Sequence, residues 1–166
     1  MKINKLRLIA GYYYLGLGIG LFKREQVISW ADQCIEKYEV PYEFVELSLS
    51  KEKDLEVVLS LLKLIYKRFE LRTPLSIILY EIRLQYINEE ITKVQLFSYI
   101  SSLLIQGSAI GDDNETLKLL DFIEDRYYLA FQGIYGNQEE VIDSTLEELK
   151  VFEPAHNEFR KLFEEE

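Results

Sequence analysis

Residues 54–69, DLEVVLSLLKLIYKRF, decide the fold class of this chain of 166 residues. Most of their apolar side chains recur every three or four residues, which is the spacing of one face of an α-helix. Val57, Leu61 and Leu64 continue the apolar surface onto a second face. A helix with two apolar faces needs neighbours on both sides, so this segment is predicted to be the most buried helix of an all-helical protein.

On either side of this helix, other segments repeat their apolar residues with the same period. We predict an all-α protein with a single domain, 1–166, of about seven helices arranged as a stack of helical hairpins or an irregular bundle. Ser50, Thr73, Thr92 and Asn137 precede helices at positions where a side-chain oxygen can cap the helix, and either Asp113 or Asn114 caps another. The predicted helices are 3–20, 25–38, 54–69, 74–86, 93–106, 114–134 and 138–150, with a short one after Pro154 and either a short helix or an extended turn at 42–49.

The second helix has the clearest division into an apolar and a polar face. Its apolar face includes Trp30 and Cys34, so both are predicted to be core residues, with Trp30 packed against the first helix. A thiol among aliphatic side chains is inert, and a lone cysteine forms no internal disulfide. Asp32 borders the polar face, where we expect a solvated or backbone-bonded carboxylate.

One internal similarity bears on the architecture. Residues 13–28 align without gaps to residues 127–142 and share six of sixteen residues. Both segments run from the end of one helix to the start of the next. The similarity indicates either a true repeat or the common sequence grammar of helical hairpins.

The sequence lacks the motifs of several chemistries. The GLGIG run at 16–20 has the wrong spacing for a phosphate loop, and the calcium-like start at Asp112 lacks its glycine and its bidentate glutamate. The single histidine, His156, is expected at the surface without a catalytic partner. We therefore expect a protein that is not an enzyme and that needs neither a metal nor a cofactor.

Charge is distributed unevenly along the chain. The net charge is −10; residues 1–83 hold 13 Lys and Arg against 11 Asp and Glu, whereas residues 84–166 hold 6 against 18. Such acidity disfavours nucleic acid as a partner, because phosphates are contacted by Lys and Arg.

No run of apolar residues reaches the length of a membrane span, and the basic and apolar N-terminus lacks a cleavage signal. We expect a cytoplasmic protein whose oligomeric state the sequence leaves open.

The run GLFKREQVISWADQCIEKYEVPYEFVELSL, residues 20–49, resembles a pattern of small uncharacterised bacterial proteins. In size, acidity and missing chemistry the whole chain resembles the immunity proteins of bacterial polymorphic-toxin systems. The resemblance implies a protein that binds a cognate toxin domain and blocks its active site. It carries over no site residue, since such families recognise their partners in different ways. A helical scaffold or regulatory adaptor that binds another protein is the alternative.

The carboxylates of the C-terminal half are the candidate contacts for such a partner. Helix 138–150 carries an anionic arc that core packing does not require, and a field of this sign would speed the encounter with a basic toxin domain. Solubility alone is the competing explanation of the acidity. The predicted partner-binding residues are Asp112, Asp113, Asp121, Glu124, Asp125, Glu139, Glu140, Asp143 and Glu147.

Overall fold

In a computed structural model, the described residues (2–67, 72–110 and 114–164) form helices and turns without a strand, so the all-α prediction is confirmed. The chain divides into two compact units, Met1–Glu70 and Leu71–Glu166. Within the described residues there are nine α-helices and one 3-10 helix, where about seven helices were predicted. They are α1 (Lys2–Gly18), α2 (Arg24–Lys37), α3 (Tyr42–Ser48), α4 (Leu55–Tyr66), α5 (Arg72–Ile87), α6 (Lys93–Ile110), α7 (Asn114–Phe131), α8 (Gln138–Leu149), the 3-10 helix (Lys150–Phe152) and α9 (Glu153–Glu164).

The first unit packs α1 against α4 and places α3 between α2 and α4. Trp30 of α2 is buried, with its ring 5.2 Å from that of Tyr13 on α1 and 5.4 Å from that of Phe44 on α3. The predicted contact between Trp30 and the first helix is therefore confirmed. Cys34 is also buried, as expected. Asp32 is exposed, as expected of a solvated carboxylate, and it also accepts a hydrogen bond from the side-chain hydroxyl of Ser48.

The prediction that helix 54–69 is the most buried is wrong. Leu61, Leu62 and Ile65 of α4 are buried, but Val57 and Leu64 on the predicted second face are 41% and 50% exposed. The longest uninterrupted run of buried residues instead lies on α5, at 74–80. Residues 68 and 69 of the predicted helix lie outside the described residues.

The second unit is organised around α5, which contacts α6, α8, α9 and the 3-10 helix. Its residues Ile77, Ile78 and Ile82 are fully buried. α6 and α7 pack together, and α7 packs on α8. A side chain also ties α5 to α8, since Arg83 Nε donates to the carbonyl oxygen of Leu146 at 2.8 Å.

Two of the predicted helix caps are confirmed and two are wrong. Thr92 Oγ1 accepts from the backbone N–H of Gln95 at 3.2 Å, and Asn137 Oδ1 accepts from two N–H groups of α8.

Ser50 does not cap α4: Asp54 holds that position, and the hydroxyl of Ser50 donates to the carbonyl of Leu47. Thr73 lies inside α5, which begins at Arg72. The fifth predicted cap is either Asp113 or Asn114, and the side chains of both residues lie outside the described part of the chain.

The two similar segments, 13–28 and 127–142, both contain a helix end of the Schellman type. Gly20, two residues after α1, and Gly133, two residues after α7, adopt a positive φ, and paired backbone hydrogen bonds close each turn. These glycines are offset by one position in the ungapped alignment. The end of α5 has the same turn with Glu89 at positive φ, outside any similarity. Such turns are thus a general way of ending helices here, and the repeat stays a prediction.

Candidate functional site

Seven of the nine predicted partner-binding carboxylates lie on α7 and α8, two helices that pack together. Asp112 and Asp113 fall outside the described residues. The seven do not form one uniform patch, because their surroundings differ. Asp121, Asp125, Glu139, Glu140, Asp143 and Glu147 are exposed, whereas Glu124 is half-buried.

Glu124 has a structural contact of its own. Its Oε1 accepts a hydrogen bond from the hydroxyl of Ser101 on α6. The contact links α7 to α6 within the second unit, so part of this carboxylate's hydrogen-bonding capacity is used inside the protein. Glu124 is the weakest of the seven candidates for a partner contact.

Glu139 and Glu140 occupy the first turn of α8. Their backbone N–H groups donate to Asn137 Oδ1 at 2.8 and 3.3 Å. Carboxylates in the first turn also interact favourably with the positive end of the helix dipole. These two residues therefore stabilise α8 in addition to carrying exposed charge.

Asp143 and Glu147 continue the acidic face of α8 one and two turns further along. Glu147 Oε2 lies 2.8 Å from Lys150 Nζ, and that hydrogen bond is the main reason why the pKa of Glu147 lies below its ordinary value. Both members of the pair are well exposed, so the pair contributes little to stability. The spacing of Glu139, Asp143 and Glu147 places all three charges along one side of the helix.

On α7, the exposed acids are accompanied by aromatic side chains that the sequence analysis did not single out. Phe122 is 53% exposed and Tyr128 is 57% exposed, beside Asp121 and Asp125. At about 100° per residue these four side chains fall within an arc of about 120°. The sequence signal for Phe122 and Tyr128 is their position outside the apolar helical stripe that includes Leu120, Ile123 and Tyr127. We call these four residues the α7 face.

The guanidinium group of Arg126 contacts one side of the Phe122 ring. The Arg126 guanidinium lies 4.5 Å from the ring centroid. Its two terminal nitrogens donate to both carboxylate oxygens of Glu148 on α8, at 2.9 and 2.6 Å. This bidentate ion pair is half-buried and joins the two helices, so Arg126 supports the exposed ring from a fixed position.

The opposite side of α7 is anchored by other aromatic residues. Tyr127 stacks on Phe97 of α6 with ring centroids 4.1 Å apart, and Phe131 lies 4.1 Å from Tyr127. Ile123 and Leu120 are fully buried on this side. Because these contacts already hold α7 in the unit, core packing does not account for Phe122 and Tyr128.

His156 contradicts the prediction of a surface histidine. It is only 2% exposed, and its Nε2 lies 2.7 Å from Glu81 Oε2 on α5. The Tyr80 ring lies 5.0 Å away, and His156 Nδ1 is buried without a hydrogen-bond partner among the described residues. The hydrogen bond from His156 is the main cause that lowers the pKa of Glu81. The hydrogen bond between His156 and Glu81 joins α9 to α5. The position of His156 near the C-terminus gave no indication of this contact.

An open depression of about 590 Å³ lies along α9. Its lining residues all belong to that helix and include both acids and bases, among them Glu153, Arg160 and Lys161. Binding sites for small molecules are usually concave and mostly apolar. This depression lacks walls from a second element, so we do not treat it as a ligand site.

Two other kinds of feature are absent from the described residues. In 2–67, 72–110 and 114–164 there is no group of three His, Cys, Asp or Glu side chains arranged to hold a metal ion. Across the same part of the chain, every helix is too short or too polar to cross a membrane.

Comparison of the chain with models of protein families, with curated proteins and with solved structures found no match.

Proposed function

We propose that this chain is a protein-binding protein without enzymatic activity, whose acidic residues on α7 and α8 contact a cationic partner. The partner we propose is a basic toxin domain that the chain neutralises, acting as an immunity protein in the bacterial cytoplasm. The observation that supports this proposal is the line of exposed carboxylates on α8, Glu139, Asp143 and Glu147. Only the last of them has an ion-pair partner within the described residues.

The unequal charge of the two units adds support. Residues 1–70 hold 11 Lys and Arg against 10 Asp and Glu, whereas residues 71–166 hold 8 against 19. A field concentrated on one unit raises the rate of encounter with a cationic surface. Toxins that cleave nucleic acids need cationic active sites to hold phosphates, and a row of carboxylates is complementary to such a site.

The test begins with the partner. The tagged full-length chain is used to recover a bound protein from the source cells, and the association of the two purified proteins is measured at several salt concentrations. In the chain carrying Glu140→Lys, Asp143→Lys and Glu147→Lys, we expect slower association and a weaker dependence on salt, because the attractive field is weakened.

The matched control reverses three exposed glutamates of the first unit, with Glu36→Lys, Glu46→Lys and Glu56→Lys. Both triple variants change the net charge equally, so a difference between them reports the position of the charge. Thermal unfolding checks both variants, since reversing Glu140 in the first turn of α8 costs roughly 0.3–1 kcal/mol. Equal association rates for the two variants would contradict the proposal.

The toxin assignment has a separate readout. A toxin partner expressed alone should stop cell growth, and co-expression of this chain should restore it. A partner that is harmless when expressed alone would support the alternative, a scaffold or regulatory adaptor.

A further inference from the structure

We infer that the α7 face (Asp121, Phe122, Asp125 and Tyr128) is the anchor point of the interaction and that it takes a cationic amphipathic polypeptide segment. The inference rests on the proposed function, since it assigns the partner's chemistry at one part of the same acidic region. It adds an apolar contact, which the carboxylates alone do not provide.

Core packing does not explain the exposure of the two aromatic residues. Phe122 and Tyr128 are both more than half exposed, although α7 is already fixed by its contacts with α6 and α8. Large aromatic side chains are enriched among the residues that dominate binding energies at protein interfaces. Along the helix the four residues extend over about 10 Å, which matches two turns of a bound helical segment.

The Phe122 ring is preorganised for binding. The Arg126 guanidinium covers one side of the Phe122 ring and is itself held by both oxygens of Glu148. Phe122 therefore loses little rotational freedom when a partner covers it, which lowers the entropic cost of binding. Arg126 is occupied by Glu148 and does not neutralise Asp121 or Asp125 through a direct ion pair.

Charge complementarity identifies the occupant. Asp121 and Asp125 lie one turn apart on the same side of α7, close to the aromatic pair. A segment with apolar side chains flanked by Lys or Arg would cover the rings and pair with these carboxylates. An anionic segment with the same apolar pattern would be repelled, and a purely polar cationic segment would leave the rings in water.

The probe is a fluorescent synthetic peptide of about 18 residues, with Leu on one face of an α-helix and Lys on the other. Its binding to the full chain is followed by fluorescence anisotropy, and the affected residues are located from the amide shifts of the isotope-labelled chain. A peptide with Glu in place of Lys serves as the probe control. We expect the cationic peptide alone to bind, with the largest shifts on α7.

The double variant Phe122→Ala and Tyr128→Ala should weaken binding of the cationic peptide about tenfold or more. The control, Tyr42→Ala with Leu49→Ala, removes two strongly exposed apolar side chains of the first unit and should leave binding unchanged. A second variant, Asp121→Asn with Asp125→Asn, keeps the rings and should weaken binding mainly at low salt.

The inference is overturned if the wild-type chain fails to bind the cationic peptide, if the anionic peptide binds equally well, or if the aromatic variant binds like the wild type. These results are distinguishable from failure of the proposed function. If the natural partner responds to charge reversal on α8 but not to loss of Phe122 and Tyr128, the proposed function stands and the anchor is wrong. If the peptide depends on the rings but the natural partner ignores the α8 charges, the proposed function fails.

Discussion

Gly16 of α1 provides room for one aromatic ring. A Cβ atom built at Gly16 would lie 2.1 Å from two ring atoms of Phe22. That ring also packs against Tyr12 and Tyr13, with centroids 4.8 and 5.6 Å away. The glycine therefore allows the chain after α1 to fold back closely onto its own helix.

We expect Gly16→Ala to destabilise the protein. Overpacking costs roughly 1–3 kcal/mol, whereas the higher helix propensity of alanine returns about 1 kcal/mol. Urea unfolding, followed by the fluorescence of Trp30, measures the difference. Adding Phe22→Leu should recover part of the loss by removing the crowded ring. If Gly16→Ala raises the unfolding midpoint, Phe22 has another position and the packing argument is wrong.

Glu81 should make the stability of the protein depend on pH. The hydrogen bond from His156 holds the pKa of Glu81 below its ordinary value of 4.5. A carboxyl group with a lowered folded-state pKa stabilises the fold above its unfolded-state pKa, and this contribution is lost as pH falls through the folded-state value. The window for this loss therefore lies below about pH 4.5.

The variant Glu81→Gln keeps the shape of the side chain but cannot titrate. Between about pH 6 and pH 3, its unfolding free energy should fall less steeply than that of the wild type. The matched control is Glu158→Gln on α9, which removes an exposed surface pair with Lys161 and should leave the pH dependence unchanged. Parallel curves for Glu81→Gln and the wild type would mean that the contact with His156 does not perturb this carboxyl group.

At the scale of elements, α4 has one buried face rather than two. Leu62 is fully buried, while Leu64, two residues later, is half exposed. The substitution Leu62→Ala should cost roughly 2–5 kcal/mol, because it removes buried apolar surface and leaves a cavity. Leu64→Ala, the same change on the same helix, should cost less than about 1 kcal/mol. Equal losses in chemical unfolding would show that both faces of α4 are buried.

The central role of α5 is explained by burial around most of its circumference. Its stretch PLSIILY, residues 74–80, is buried throughout, including the polar Ser76. Ser76 is accommodated because its hydroxyl donates to the carbonyl oxygen of Arg72 at 2.8 Å. A nearly continuous apolar run is the sequence pattern of a helix buried on all sides. Residues 54–69 show two apolar faces in the sequence, and this pattern led to the prediction that α4, not α5, is the most buried helix.

At the scale of the whole chain, charge is divided unequally between the two units. Residues 1–70 are nearly neutral and residues 71–166 carry the anionic excess. The exposed carboxylates of α7 and α8 belong to the second unit, as do Phe122 and Tyr128. Charge alone serves solubility as well as binding. The exposed aromatic residues next to the acids support the proposed binding role, since solubility does not require them.

The sequence by itself determined the all-helical fold class, most helix positions, the caps at Thr92 and Asn137, and the burial of Trp30 and Cys34. These features follow from periodicity and from hydrogen bonds within a few residues, which are local. It also determined which segment carries the acidic candidates.

The tertiary structure decided the rest, because it depends on residues that are distant along the chain. His156 became a core residue through Glu81, 75 positions away. Glu124 accepts a hydrogen bond from Ser101, and Arg126 forms an ion pair with Glu148. Helical periodicity identifies the side chains that share a face. Tertiary packing decides which of these faces contacts another helix. Leu64 and Phe122 are exposed, whereas most of α5 is buried.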